Sequence, residues 1–354
     1  MKHIKENYFC PIMRHQLTIN QYGKVMPCCH FGEHIPIEKY EEITTNYAER
    51  LEAGERISQC DACWRTEDRG LVSVRQSAVD SYDINYADSS GINAMDIRLH
   101  NKCNMACNMC ASYNSTLWGK IQGTNEEHNI SKENLQHIYS LAKNVTKLSL
   151  QGGEPFYGNE FIDFVDNFPT KKDLILDVFT NVVTMDISVI DRWNKECNQL
   201  LINASIDGTG ETFEYIRWPG KWSKAERKVK QAYAIIKHRL KHFFAIQPEN
   251  LGNIVDFLEW RDEHTPKSEI IFNLVEEPKA LSVDASTQEE RDSFVKSFDK
   301  YEGKLTDRER HDLTAVYNLC KTLETNPIIL DARNTRENNT KRMRENYLKA
   351  PTVV

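Results

Sequence analysis

The chain has 354 residues, enough for a full core and two domains, and a formal net charge of -7. That acidic balance argues against a dedicated nucleic-acid binder, and no segment approaches the roughly 20 apolar residues that span a membrane. The N-terminal MKHIKENYFCPIM lacks an apolar core of signal-peptide length, so the cytoplasm is the expected compartment, where the 10 cysteines point to metal ligands or thiols rather than disulfides.

Residues 1–88 form a first, cysteine-rich unit. Asn20-Gln21-Tyr22-Gly23 is expected to turn a hairpin, and Val25-Met26-Pro27-Cys28 to run as an edge strand ending in a bend. A hairpin leading into Cys28 and the Cys60-Asp61-Ala62-Cys63 knuckle can converge on one metal. Zinc ribbons are built the same way, so zinc or a single iron suits this set as an iron–sulfur cluster does. Cys29 competes with Cys28, because adjacent strand residues point opposite ways and only one can face the metal. Gln59 to Ser77 is expected to lead from the knuckle into a helix.

From Ala94 onward, short apolar runs alternate with polar, helix-length stretches. Strands are expected at 94–99, 147–151, 174–180, 200–206, 242–247 and 269–274, with Trp222–Leu240 as an amphipathic helix carrying Val229, Tyr233, Ile236 and Leu240 on one face. Repeated strand–helix units predict an α/β fold with a parallel sheet. In such folds ligands gather at the C-terminal ends of the strands, and the informative residues lie there. The first strand runs into Leu99-His100-Asn101-Lys102-Cys103-Asn104-Met105-Ala106-Cys107-Asn108-Met109-Cys110, a C-x3-C-x2-C triplet. Three thiolates hold three corners of a four-iron cluster and leave one iron open, whereas electron carriers close the site with four cysteines. The second strand ends in Gly152-Gly153-Glu154, where glycines expose backbone N–H groups to a carboxylate and the Glu accepts from an ammonium group. The third ends Thr180-Asn181, and the fourth Ser205-Ile206-Asp207-Gly208, with Ser205 and Asp207 on one side of an extended strand.

Beyond about Pro278 the chain is polar and helical, with Phe294, Phe298, Leu313, Val316 and Leu323 as its packing stripe. Arg333 and the run Lys341 to Arg344 are expected on a solvated helix face, as are the basic residues between Lys221 and His242. The sharper alternatives are a grip on substrate for the former and a landing patch for an acidic flavodoxin or ferredoxin for the latter.

The triplet together with Gly152-Gly153-Glu154 resembles the radical S-adenosylmethionine (SAM) superfamily. The resemblance implies a six-unit (β/α)6 partial TIM-type barrel over 89–278, a small N-terminal auxiliary-cluster domain over 1–88 and a helical extension over 279–354. It implies a [4Fe-4S] cluster on Cys103, Cys107 and Cys110 that donates an electron to SAM. Met109, Gly152, Gly153, Glu154, Asn181, Ser205, Asp207 and Arg217 (in Tyr215-Ile216-Arg217-Trp218-Pro219-Gly220) then contact SAM. Met109 stands where relatives carry an aromatic residue, and Val182 where they often carry Gly. The C…G-x4-C…C-x2-C pattern of residues 10–63 is similar to the twitch module, a short form of the SPASM domain whose four cysteines hold an auxiliary [4Fe-4S] cluster, although that module usually follows the barrel; the resemblance implies Cys10, Cys28, Cys60 and Cys63 as the ligands. Relatives with such modules modify ribosomal peptides or oxidise small alcohols and sugars. Peptide or protein modification is the first expectation, a small-molecule dehydrogenase the second, and a cluster-bearing redox sensor without SAM turnover the reading from another class. No side chain stands out as a catalytic acid or base.

Overall fold

The computed structural model describes residues 8–68, 73–80 and 91–350. The chain enters through α1 (Pro11–His15) and turns a hairpin of β1 (Gln16–Ile19) and β2 (Val25–Met26), with Gly23 at φ 70° in the turn. Three helices follow, α2 (Tyr40–Glu52), α3 (Asp61–Asp68) and α4 (Val74–Asp80). Then come β3 (Ala94–Ile97), α5 (Thr116–Gln122), α6 (Lys132–Leu141), β4 (Lys147–Leu150), α7 (Glu160–Asp166), β5 (Ile175–Thr180) and α8 (Ile187–Glu196). The alternation continues with β6 (Gln199–Ser205), α9 (Gly210–Ile216), α10 (Trp222–Ile236), β7 (Leu240–Ile246), α11 (Ile254–His264) and β8 (Glu269–Leu274). Three helices close the chain: α12 (Gln288–Tyr301), α13 (Asp307–Thr322) and α14 (Pro327–Lys349). Capping boxes start α12 and α13, Thr287 with Glu290 and Thr306 with Glu309.

The strands form one eight-stranded sheet in the order β2-β1-β3-β4-β5-β6-β7-β8. From β3 to β8 every pairing is parallel and between consecutive strands, as the six expected strands require. The sheet is larger than that by two. β1 pairs parallel with β3, in the register Gln16 with Ala94 to Ile19 with Ile97, and β2 pairs antiparallel on its outer side. The cysteine-rich hairpin is therefore the edge of the same sheet and not a body apart.

Side chains alternate across each strand. Leu148, Leu150, Leu176, Val178, Leu200, Ile202, Phe244 and Ile246 are buried on or near 0% exposure beneath the helices, each worth about 1.5–3 kcal/mol on burial. The opposite face mixes polar side chains with apolar ones such as Phe179 and Phe243. Asp96, Ser149 and Asp177 stand in one row across three strands, half-buried. No helix among the described residues is long and apolar enough to cross a membrane.

Two expectations of solvated charge fail. His242 lies within β7 and is fully buried, because the alternation of that strand carries it to the helix-covered face. Arg333 and Arg344 are buried as well. α14 packs along the molecule and the polar atoms it meets there are acceptors: Glu290 and the Ala285 carbonyl for Arg333, and main-chain carbonyls for Arg344. Lys341 and Arg342 are exposed, as expected.

Candidate active site

Beyond β3 the chain leaves the sheet and forms the loop that carries Cys103, Cys107 and Cys110. The loop is pinned on several sides. Asn101 Oδ1 accepts from His128 N at 2.9 Å, Ser115 Oγ donates to the Met105 carbonyl at 2.5 Å, and Trp118 Nε1 donates to the Cys107 carbonyl at 2.8 Å. Its far edge pairs with the segment after α9: Ala106 N donates to Trp218 O at 2.7 Å and Asn108 N to Ile216 O at 2.8 Å. All three cysteines line one cavity of about 320 Å³ at the C-terminal ends of the strands. Burial pushes their thiols up, that of Cys110 to about 12. Such thiols become thiolates when a cation takes the proton's place.

The other walls come from the next strand ends. Gly152, Gly153, Glu154, Asn181, Ser205, Arg217 and Met109 all line this cavity, so it unites the triplet with nearly every residue expected there. Gly152 and Gly153 adopt φ 79° and 53°. A Cβ on Gly152 would lie 2.7 Å from the Arg98 side chain, and one on Gly153 would fall inside 3.0 Å of the Lys102 carbonyl. The glycines thus bring this turn against the cysteine loop, and Glu154 N completes the junction by donating to Lys102 O at 2.8 Å.

Glu154 is 1% exposed. It accepts from Thr180 Oγ1 at 2.6 Å, Asn181 N at 2.6 Å and Phe156 N at 3.2 Å. Burial raises its carboxyl to about 7 against the pull of those bonds. Glu154 therefore braces the Thr180-Asn181 turn while facing the cavity. Asn181 in turn donates to Asn104 Oδ1 at 2.9 Å and lies 4.0 Å from Cys103 Sγ.

Asp207 behaves differently from Ser205. It is fully buried and does not line the cavity. It accepts from Ala245 N at 2.7 Å and pairs with Arg217 at 2.7 Å, holding Arg217 Nη1 3.9 Å from Cys107 Sγ. Its place is behind the wall, orienting the arginine. Sequence reasoning also missed Arg98, Gln151, Phe179 and Thr180 in the cavity lining. The Asp96-Arg98 alternation carries a signal for the first, since it sets Arg98 on the face of Asp96 just before the triplet.

The N-terminal cysteines gather too. Cys10 precedes α1, Cys28 follows β2, and Cys60 and Cys63 flank the start of α3. Burial, then neighbouring thiols, push Cys28 up to about 12 and Cys60 up as well; Cys10 and Cys63 act on both. Cys29 is exposed, and the charges nearest it belong to Asp96 and Arg98. Cys28, by contrast, is half-buried and packs against the core. No three His, Cys, Asp or Glu side chains among the described residues are set to hold a single metal ion; tetrahedral zinc, with sulfur at about 2.3 Å, needs thiolates about 3.8 Å apart.

Residues 95–211 match the family model described as a 4Fe-4S single cluster domain. A curated relative, the GTP 3',8-cyclase of Syntrophomonas wolfei subsp. wolfei, is 26% identical over 175 residues, 48% of this chain and 51% of that protein. The chain thus spans about half the length of the curated relative it matches. Among solved structures, native anSMEcpe with bound AdoMet is similar with a TM-score of 0.45 at 16% identity, over 59% of each chain. Streptococcus suis SuiB bound to S-adenosylmethionine is similar with a TM-score of 0.43 at 13% identity, over 82% of this chain and 70% of that one.

Proposed function

We propose that this chain is a radical SAM enzyme, with a four-iron cluster and S-adenosylmethionine as its cofactors, that oxidises or otherwise modifies a peptide or protein. The observation that carries the reading is the single cavity walled by Cys103, Cys107, Cys110, Gly152, Gly153, Glu154, Ser205 and Arg217. In this reading the three cysteines are ligands and leave one iron open to the methionine end of SAM. The bound cofactors supply one electron and a 5'-deoxyadenosyl radical that removes a hydrogen atom from the substrate.

The chain's own residues bind, orient and shield. Glu154 faces the ammonium group of SAM. Asn181, Ser205, Met109 and Arg217 complete the contacts, with Asp207 fixing Arg217 from behind. Residues 89–278 are the partial barrel, 1–88 the twitch-like unit whose β1 and β2 extend the barrel's sheet, and 279–354 the helical extension. Cys10, Cys28, Cys60 and Cys63 would hold an auxiliary cluster, which would supply a one-electron acceptor for a net two-electron oxidation or a ligation point for the substrate. A flavodoxin or ferredoxin in the cytoplasm is the electron donor. The face that carries Asp96 and Asp177 is the substrate's side of the sheet. A sugar or alcohol dehydrogenase uses the same parts, and the substrate separates the two.

The test is anaerobic reconstitution with a reductant and SAM, followed by chromatography for 5'-deoxyadenosine. Its formation is expected. If both clusters are intact and none forms, the enzyme reading fails and a cluster-bearing sensor takes its place. The triple variant Cys103→Ala, Cys107→Ala, Cys110→Ala should retain about four irons per chain, and zinc in their stead would overturn the auxiliary cluster.

A further inference from the structure

Two arginines approach Cys107, and they differ in one respect. Arg217 is paired with Asp207 at 2.7 Å, so its charge is already compensated. Arg344, from α14, is 7% exposed, and among the described residues no carboxylate forms an ion pair with it. A desolvated cation without a counter-ion is costly, and its neighbours here only solvate it. Arg344 Nη2 donates to Ala106 O at 2.6 Å and to Asn108 Oδ1 at 2.8 Å, and Nη1 donates to Tyr215 O at 3.1 Å. The guanidinium lies over Trp118 at 5.7 Å and Trp218 at 5.3 Å, while Nε is buried with no partner. Arg336, two turns earlier, donates to Asn108 O at 2.9 Å.

Both flanks of Cys107 are thus held by one uncompensated buried cation. What the site lacks is negative charge, and three thiolates on an iron–sulfur centre supply it. Resting on the cluster reading of Cys103, Cys107 and Cys110, we infer that Arg344 is the buried counter-charge of that centre, a positioning residue that fixes the loop around Cys107 and makes the centre easier to reduce. Its field acts through Cys107, since positive charge near a cluster favours the reduced, more negative form.

The experiment compares the reconstituted full chain with R344K, which keeps the charge, and R344Q, which keeps a donor for the Ala106 carbonyl and loses the charge. Redox titration followed by electron paramagnetic resonance is the main readout. For R344Q the reduction equilibrium should shift about tenfold toward the oxidised centre, a midpoint about 59 mV lower for one electron; R344K should stay within about threefold of wild type by the same conversion. In the metal-free protein, amide exchange at Ala106 and Asn108 should quicken in both variants, because each loses part of the fork. Equal midpoints for wild type and R344Q, with intact centres, would overturn this inference alone. A wild-type chain that assembles no iron–sulfur centre overturns the cluster reading and this inference with it.

Discussion

Val182 is held at φ 62°, a conformation that a β-branched side chain strongly disfavours, and its side chain is fully buried. The strain has a visible purpose. Val182 N donates to Thr180 Oγ1 at 3.0 Å, and the turn it makes aims Asn181 N at Glu154 and the Asn181 amide at Asn104. Such strain costs about 1–3 kcal/mol, and burying the valine returns about 1.5–3 kcal/mol. Glycine is normally about 0.5–1 kcal/mol worse than alanine, but here the order should reverse, with V182G at least as stable as V182A by urea denaturation of the metal-free protein. A V182A protein more stable than V182G by 1 kcal/mol or so would show that the turn relaxes. Gly153→Ala probes the neighbouring junction. With φ 53° and a Cβ driven into the Lys102 carbonyl, it should destabilise the same protein by more than about 1 kcal/mol and lower iron retention on the triplet.

At the scale of elements, the helices of the N-terminal unit are tied by one buried ion pair. Arg75 of α4 reaches Glu67 of α3 at 2.8 Å, with both side chains under 10% exposed, and also donates to the Phe9 carbonyl beside Cys10 at 3.1 Å. Removing one partner strands a buried charge, so R75M should cost about 3–5 kcal/mol, seen as faster amide exchange across α3 and α4. Little change there would mean that packing alone holds α3 against α4. Nothing in the sequence marks that pair, whereas the six strands from β3 to β8 were legible because each is a short apolar run whose alternation is read locally. The same holds for the hairpin at Gly23. Two features depend on contacts between distant segments and were not legible. One is the parallel pairing of β1 with β3, which makes the cysteine hairpin part of the main sheet. The other is α14, whose arginines look solvated until the fold supplies carbonyls and two tryptophans from elsewhere. The site followed the same division: the triplet and the glycines were readable as motifs, but the demotion of Asp207 to a support for Arg217 required the position of Ala245 N.

For the molecule as a whole, buried groups set opposite limbs of the stability profile, His242 and His100 on the acid side and Glu249 and Glu154 toward neutrality. His242 sits within β7, bonded to Thr265 Oγ1 at 3.0 Å and edge-on to Phe257, and burial lowers its imidazole to about 3. An unfolded chain binds a proton below the ordinary value of about 6.5 that folded His242 refuses, so stability falls as pH drops from there toward 3. Glu249, beside Arg333, is shifted the other way. Burial raises its carboxyl to about 7 despite the attraction of that arginine. Folded Glu249 keeps its proton where the unfolded chain, with an ordinary value near 4.3, has released it. The stability it contributes is therefore full below that value and is lost as pH rises through 7. At about 1.36 kcal/mol per pKa unit, His242 and Glu249 each contribute on the order of 4 kcal/mol to their limbs. Urea denaturation of the metal-free protein across about pH 4 to 8 should show H242F making the acid limb shallower and E249Q making the limb toward neutrality shallower, each leaving the other slope in place. Parallel curves for wild type and H242F would mean that the imidazole is protonated within the folded sheet, which its burial among Phe257 and Trp260 and the charge of Arg261 both oppose.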